Sequence, residues 1–135
     1  MIDYIKGKLV EKNPAYAVVE ANGIGYIIHI SLHTYYNIPD NDLCKLLTYY
    51  SVNVDVRSGS STHSLFGFAN NEERDIFKVL IGVSGVSANT ARMIFSTLSP
   101  AEIISAIEAG NPEIIQRVKG IGPKLAQRIA AELKD

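Results

Sequence analysis

The run VKGIGPKLAQRIAAEL, Val118 to Leu133, brings together the residue types that hold an anion. Glycine takes positive φ and lets a ligand reach the backbone without meeting a Cβ, and the helix formers that follow predict unsatisfied N–H groups at a helix start. A phosphate fits there on main-chain donors and the positive end of the helix dipole alone. Pro123 suits the first helical position, Lys124 adds a charged donor, and Arg128 falls one turn later on the same face. From Arg117 to Arg128 the chain carries Arg117, Lys119, Lys124 and Arg128 with no acidic residue between them.

The same unit occurs once before. VSGVSANTARMI, Val83 to Ile94, lies over VKGIGPKLAQRI, Val118 to Ile129, with Val, Gly, Ala and Ile in register and Val86 opposite Ile121. A single glycine turn before a helix is a common helix–helix connection, whereas two copies in register, one of them basic, favour a paired anion clamp. The pattern is that of the helix-hairpin-helix motif, which grips a nucleic-acid backbone without reading bases and binds in a salt-sensitive way. The copies differ. In the first, Ser87 replaces the second glycine, Ala88-Asn89 replaces Pro-Lys, and Arg92 is the nearby cation.

Two kinds of element frame these turns. The first half reads as β: IDYIKGKLV, AYAVVEAN, GYIIHISL, LLTYYSVNVDV and THSLFGF are short runs rich in β-branched and aromatic residues. Asn22-Gly23-Ile24-Gly25 is a hairpin signal, and Ser58-Gly59-Ser60-Ser61 marks a turn or hairpin tip. Five such strands suit a small OB-like barrel, with a sandwich as the alternative that pattern alone leaves open. From Asn70 onward apolar residues recur at helical spacing, as in Ile76, Phe77, Leu80 and Ile81, which predicts four or five short helices. Ser99-Pro100-Ala101-Glu102 is a capping box, and Gly110 ends one helix before Asn111-Pro112 starts the next. The expected fold is therefore a two-domain β + α chain: a five-stranded OB-like barrel over residues 1–67 and an all-α tandem helix-hairpin-helix domain over 68–135.

Composition limits what else the chain can be. With 135 residues, 47% of them hydrophobic, it can build compact cores, and its net charge of −1 argues against a binder held by diffuse positive charge. No apolar run approaches the roughly 20 residues that span a bilayer, and charge interrupts the N-terminus too early for a signal peptide, so a cytoplasmic location is expected. Cys44 is the single cysteine, and His29, His33 and His63 have no partners at metal-ligand spacing. No metal and no cofactor are expected.

Read in order, IKGKLVEKNPAYAVVEANGIGYIIHISL, LFGFANNEERDIFKVLIGVSGVSANTARMI and VKGIGPKLAQRIAAELKD resemble the RuvA family of Holliday-junction-binding subunits over essentially the whole chain. NGIGY, LFGFA, EER and KGIG..A.RI stand at nearly the family's spacing. The resemblance implies a homotetramer that holds the four arms of a four-way DNA junction open, as one tetramer or two facing ones, while a separate hexameric ATPase, RuvB, drives strand movement. It places Gly85, Val86 and Ser87 of the first turn, and Gly120, Gly122 and Lys124 of the second, at the DNA backbone. Asn89 and Arg92 of the first copy, and Lys119 and Arg128 of the second, join them by charge and spacing.

Two departures bear on that expectation. The family's hairpin before the LFGF-like strand carries adjacent acids that project at the junction centre. Here VNVDVRSGSSTHS is longer and holds only Asp55, with Arg57 to offset it, so the pin is expected to repel phosphates weakly or to work through shape. RuvA proteins also continue past the ELKD-like segment to a small domain that contacts RuvB. The chain stops at Asp135, so it is expected to be a fragment that binds junctions without recruiting the motor.

Other functions remain open at this point. Glycosylases, ligases and nucleases also use helix-hairpin-helix modules, but they need a lysine nucleophile, a nucleotide-binding lysine or clustered carboxylates. Asp40 and Asp42 fall in a loop, Glu72-Glu73-Arg74 reads as the solvated start of a helix, and His63 sits in a polar serine-rich hairpin. None of these sets meets the requirement, and no catalysis is expected. A general single-stranded or duplex DNA-binding module, and a protein-interaction scaffold, are the alternatives; Tyr35-Tyr36 and Tyr49-Tyr50 would serve either, or simply pack in strands.

Overall fold

The computed structural model describes residues 1–39 and 42–134, which pack as two compact units, Met1–Arg74 and Asp75–Asp135. Asp40 lies outside the described residues, whereas Asp42, expected in a loop, opens a strand and pairs with Leu9.

In the first unit, β1 (Tyr4–Lys12), β2 (Tyr16–Ala21), β3 (Ile24–His29), β4 (Asp42–Val54) and β5 (Ser61–Phe68) close into a barrel in the order β1-β2-β3-β5-β4. Neighbours are antiparallel except β3 and β5, whose parallel pairing of Ile28 with Leu65 and His29 with Phe66 completes the ring. Asn22 and Gly23 join β2 to β3 at φ 52° and 81°, the left-handed pair that a tight hairpin matched to strand twist requires. Strand β1 serves both β2 and β4, and a Cβ at Gly7 would lie 2.2 Å from the Glu20 carbonyl oxygen, so only glycine lets it cross there. Ile5, Leu9, Ala17, Val19, Ile28 and Leu46 point inward as the core, alternating with exposed neighbours along the strands.

A short helix, α1 (Leu32–Asn37), lies between β3 and β4, where the apolar and aromatic content of the sequence predicts only the tail of a strand. The Ser31 hydroxyl caps it, accepting from the Thr34 N–H at 3.1 Å. Helix α2 (Asn71–Ile81) begins in this unit, and its first turn overturns the solvated reading of Glu72-Glu73-Arg74. Glu72 is exposed, but Glu73 is fully buried, with Ser31 Oγ donating to it at 2.8 Å and Thr34 Oγ1 at 2.6 Å. Burial pushes its carboxyl above the usual range, an effect only partly offset by those two hydroxyls. Arg74 pairs with Asp3 at 2.9 Å and also donates to the Asp3 carbonyl oxygen at 2.8 Å.

The second unit holds the remainder of α2 and α3 (Ala88–Thr97), α4 (Pro100–Glu108), α5 (Pro112–Gln116) and α6 (Pro123–Leu133). The boundaries follow the local chemistry. Ser99 and Glu102 form a reciprocal capping box on α4, which holds the Glu102 carboxyl below its ordinary range through the Ser99 backbone N–H. Gly110 turns the chain at φ 63°, and the Asn111 side chain caps α5. None of the described helices is long and apolar enough to cross a membrane.

Candidate nucleic-acid interface

The two repeated turns have nearly the same backbone. Gly85 and Gly120 take φ 94° and 93°, values that an L side chain adopts only under strain. One residue later, Val86 and Ile121 donate to the carbonyls of Val83 and Val118 at 3.0 and 3.1 Å. Ser87 and Gly122 then return to extended backbone, at ψ 167° and 173°, as the N-caps of α3 and α6. Burial repeats as well: Val83, Val86, Ala91 and Ile94 are buried, as are Val118, Ile121, Ala126 and Ile129. The apolar residues anchor each turn in the core, and the glycines between them stay exposed.

Donors differ between the copies. At α3 the Ser87 hydroxyl accepts from the Thr90 N–H at 3.1 Å, so the helix satisfies one of its own first-turn amides. At α6 the N-cap is glycine and no side chain caps the helix, while Pro123 has no N–H, so the Lys124 and Leu125 amides stand open at the positive end of the dipole. A Cβ at Gly120 or Gly122 would meet nothing within 4 Å, whereas one at Gly85 would lie 3.2 Å from Leu125 Cδ1. The second turn is open space; at the first, which is exposed as well, α6 leaves little room for a side chain.

The cations divide in the same way. Lys119 and Lys124 are exposed, with no hydrogen bond or ion pair among the described residues. Arg92 is half-buried, and its Nε and Nη2 donate to Asn89 Oδ1 at 3.2 and 2.9 Å, so Asn89 orients Arg92. Burial also draws the Arg92 guanidinium below its ordinary value. Arg128 reaches from α6 to the first turn and donates to the Ser84 carbonyl at 3.0 Å, tying the two copies together. Val86 lends no side chain to the surface, and its N–H is spent inside the turn.

Asp55 and Arg57 are both exposed in the six-residue loop between β4 and β5. The Asp55 carboxylate accepts from the Arg57 N–H at 2.9 Å, and its main chain bonds to Ser60 and Gly59 at 2.8 Å each, with Gly59 at φ 73°. The loop thus begins at Asp55, ahead of the Ser58-Gly59-Ser60-Ser61 segment, and Ser61 belongs to β5. Sequence reasoning missed the Arg128–Ser84 bridge, for which no local signal exists. The Ser87 cap was legible as serine three residues before Thr90.

Comparison with known proteins follows the same division. Residues 1–67 match the family described as RuvA N terminal domain, and residues 77–135 match the SAM-like Helix-hairpin-helix tandem. The "Holliday junction branch migration complex subunit RuvA" of Christiangramia forsetii is 50% identical over 135 residues, covering 100% of this chain and 67% of the relative. The proteins of the same name from Bacteroides fragilis and Flavobacterium psychrophilum are 47% and 48% identical over the whole chain, covering 64% and 67% of their own lengths. The chain thus spans about two thirds of the length of these curated relatives. Identical at half its positions over its full length to a curated member, and matched by the family's own N-terminal domain, the chain belongs to the RuvA family.

Proposed function

We propose that the chain binds four-way junction DNA, independently of sequence, and holds it open for branch migration in recombination and repair. The observation that carries this is the pair of turns with matching φ at Gly85 and Gly120, one of them uncapped and flanked by free lysines. Phosphates bind the open amides of α6 with Lys124 and Lys119 adding charge, while Gly85, Ser87 and the Asn89–Arg92 pair serve a second, weaker point. Val86 contributes by anchoring its turn, and Arg128 by linking the two. Asp55 and Arg57 stand at the junction centre as a pin of no net charge.

The role is binding without bond chemistry, and it needs no cofactor. The names of the relatives support a branch migration complex, hence a partner ATPase of the RuvB type acting with the whole protein. A homotetramer, a cytoplasmic location and a functional division at residues 67/68 complete the reading. A gel shift comparing four-way junction, duplex and single strand over a salt series tests it. Junction binding should be the tightest, with affinity falling steeply as salt rises; equal affinity for duplex and junction overturns it.

A further inference from the structure

The hairpin of β4 and β5 carries a surface unlike the phosphate site. β1 pairs with β4 only as far as Leu47, and the β4–β5 ladder then runs on to Val54 and Ser61, so β4 leaves the barrel as part of a two-stranded ribbon. Opposed residues of an antiparallel pair share a face, which places Tyr50 with Leu65, Val52 with His63 and Val54 with Ser61 on one side. That side is apolar and open: Val52 is 46% and Val54 65% exposed, and Val56 beyond them is 93% exposed. Valines at the end of a ribbon find no core to enter, and water gains nothing from them.

The rings on this face are fixed. His63 bonds through Nδ1 to the Tyr50 hydroxyl and through Nε2 to Ser61 Oγ at 3.0 Å, so neither ring turns freely. Their centroids are 5.7 Å apart with 31° between the planes. At the foot of the ribbon a groove of about 410 Å³ is walled by Ile27, His29, Tyr50, His63 and Leu65 among others, with no Lys, Arg, Asp or Glu in its lining. That volume is in the range of small-ligand clefts. Phosphate would find no lysine or arginine there, whereas a flat group with apolar faces and a polar edge finds immobilised rings, valines, and serine and histidine at the rim.

We infer that this face of the β4–β5 ribbon, with the groove at its foot, stacks unpaired nucleobases. The inference rests on the reading of the chain as a DNA-binding protein. It gives the acid-poor hairpin a positive role, capturing bases exposed where strands part.

An eight-nucleotide single strand containing 2-aminopurine is the probe, in about 0.3 M salt to suppress backbone contacts. Its emission should be quenched by the chain, and His63→Ala should weaken that binding roughly five- to a hundred-fold while His63→Phe restores most of it. Lys124→Glu should lose junction affinity and keep the quench, which separates this inference from the backbone clamp. Unchanged binding in His63→Ala, or equal loss in His63→Phe, overturns it. So does Val54→Asp converting an oligomer to a monomer in sedimentation with the quench intact, since the ribbon would then be covered by a second copy.

Discussion

Replacing Gly122 by Asp asks whether the open amides of α6 are the ligand site. Gly122 has φ −81° and ψ 173°, backbone that any residue adopts, and a Cβ there would meet nothing within 4 Å. The new carboxylate stands where Ser87 stands in the first copy, where the hydroxyl accepts from the Thr90 N–H at 3.1 Å. It should therefore cap the Leu125 amide and raise stability by a few tenths of a kcal/mol, with up to about 1 kcal/mol more from the helix dipole. For a unit of this size that is a rise in Tm on the order of 1–10 °C. If a phosphate uses that amide, the same change removes a charge-assisted hydrogen bond of about 1.5–3 kcal/mol, or at least roughly ten- to a hundred-fold in affinity, before charge repulsion is added. Thermal denaturation and junction titration on one preparation read both numbers. A raised Tm with unchanged junction affinity would refute the reasoning. Ser87→Gly is the mirror experiment: Tm should fall slightly and affinity should not fall.

Lys124→Glu should weaken junction binding about ten-fold or more and lower the slope of log affinity against log salt by about one, whereas Asn89→Glu should matter less, since Asn89 already faces Arg92; titrations in the reverse order would reverse the ranking of the turns. Glu73 has a raised carboxyl pKa, so its contribution to stability is full below the ordinary value of 4.5 and is lost as pH rises through the raised one. The Tm of Glu73→Gln relative to the parent should therefore climb as pH rises above the ordinary value of 4.5, and a flat difference counts against a buried carboxylate that resists ionisation. Gly7→Ala would drive a Cβ into the Glu20 carbonyl and should cost on the order of 1–3 kcal/mol or more in denaturant melts. Gly25→Ala, with its nearest neighbour 3.6 Å away, should be much milder.

What the sequence revealed was the chemistry that is local. Asn22-Gly23, the Ser99 box, Gly110 and the paired glycines each specify a backbone conformation within four residues, and each adopts it. The closing of the barrel through β3 and β5 was not legible, because parallel pairing between distant strands leaves no mark on either. Helix α1 was hidden since Leu32 to Asn37 has the composition of a strand; what makes it helical is the Ser31 cap and the buried carboxylate that Thr34 meets. Glu73 was misjudged for the same reason: its partners lie some forty positions earlier in the chain, and periodicity reports a face without saying what faces it. At the candidate site the glycines and lysines were visible in the sequence. The roles of Arg92 and Arg128 were not, since each is set by the acceptor it finds.

The bridge from Arg128 to Ser84 ties the two turns to each other, as a crosspiece ties the jaws of a calliper. Two independent grips would each follow a flexible duplex and tolerate whatever groove they met. On the reading proposed above, grips held at one gauge would measure instead: the backbone would have to present two phosphates at the spacing of the two turns, and a helix bent, unwound or nicked between them would meet that gauge only at a cost in strain.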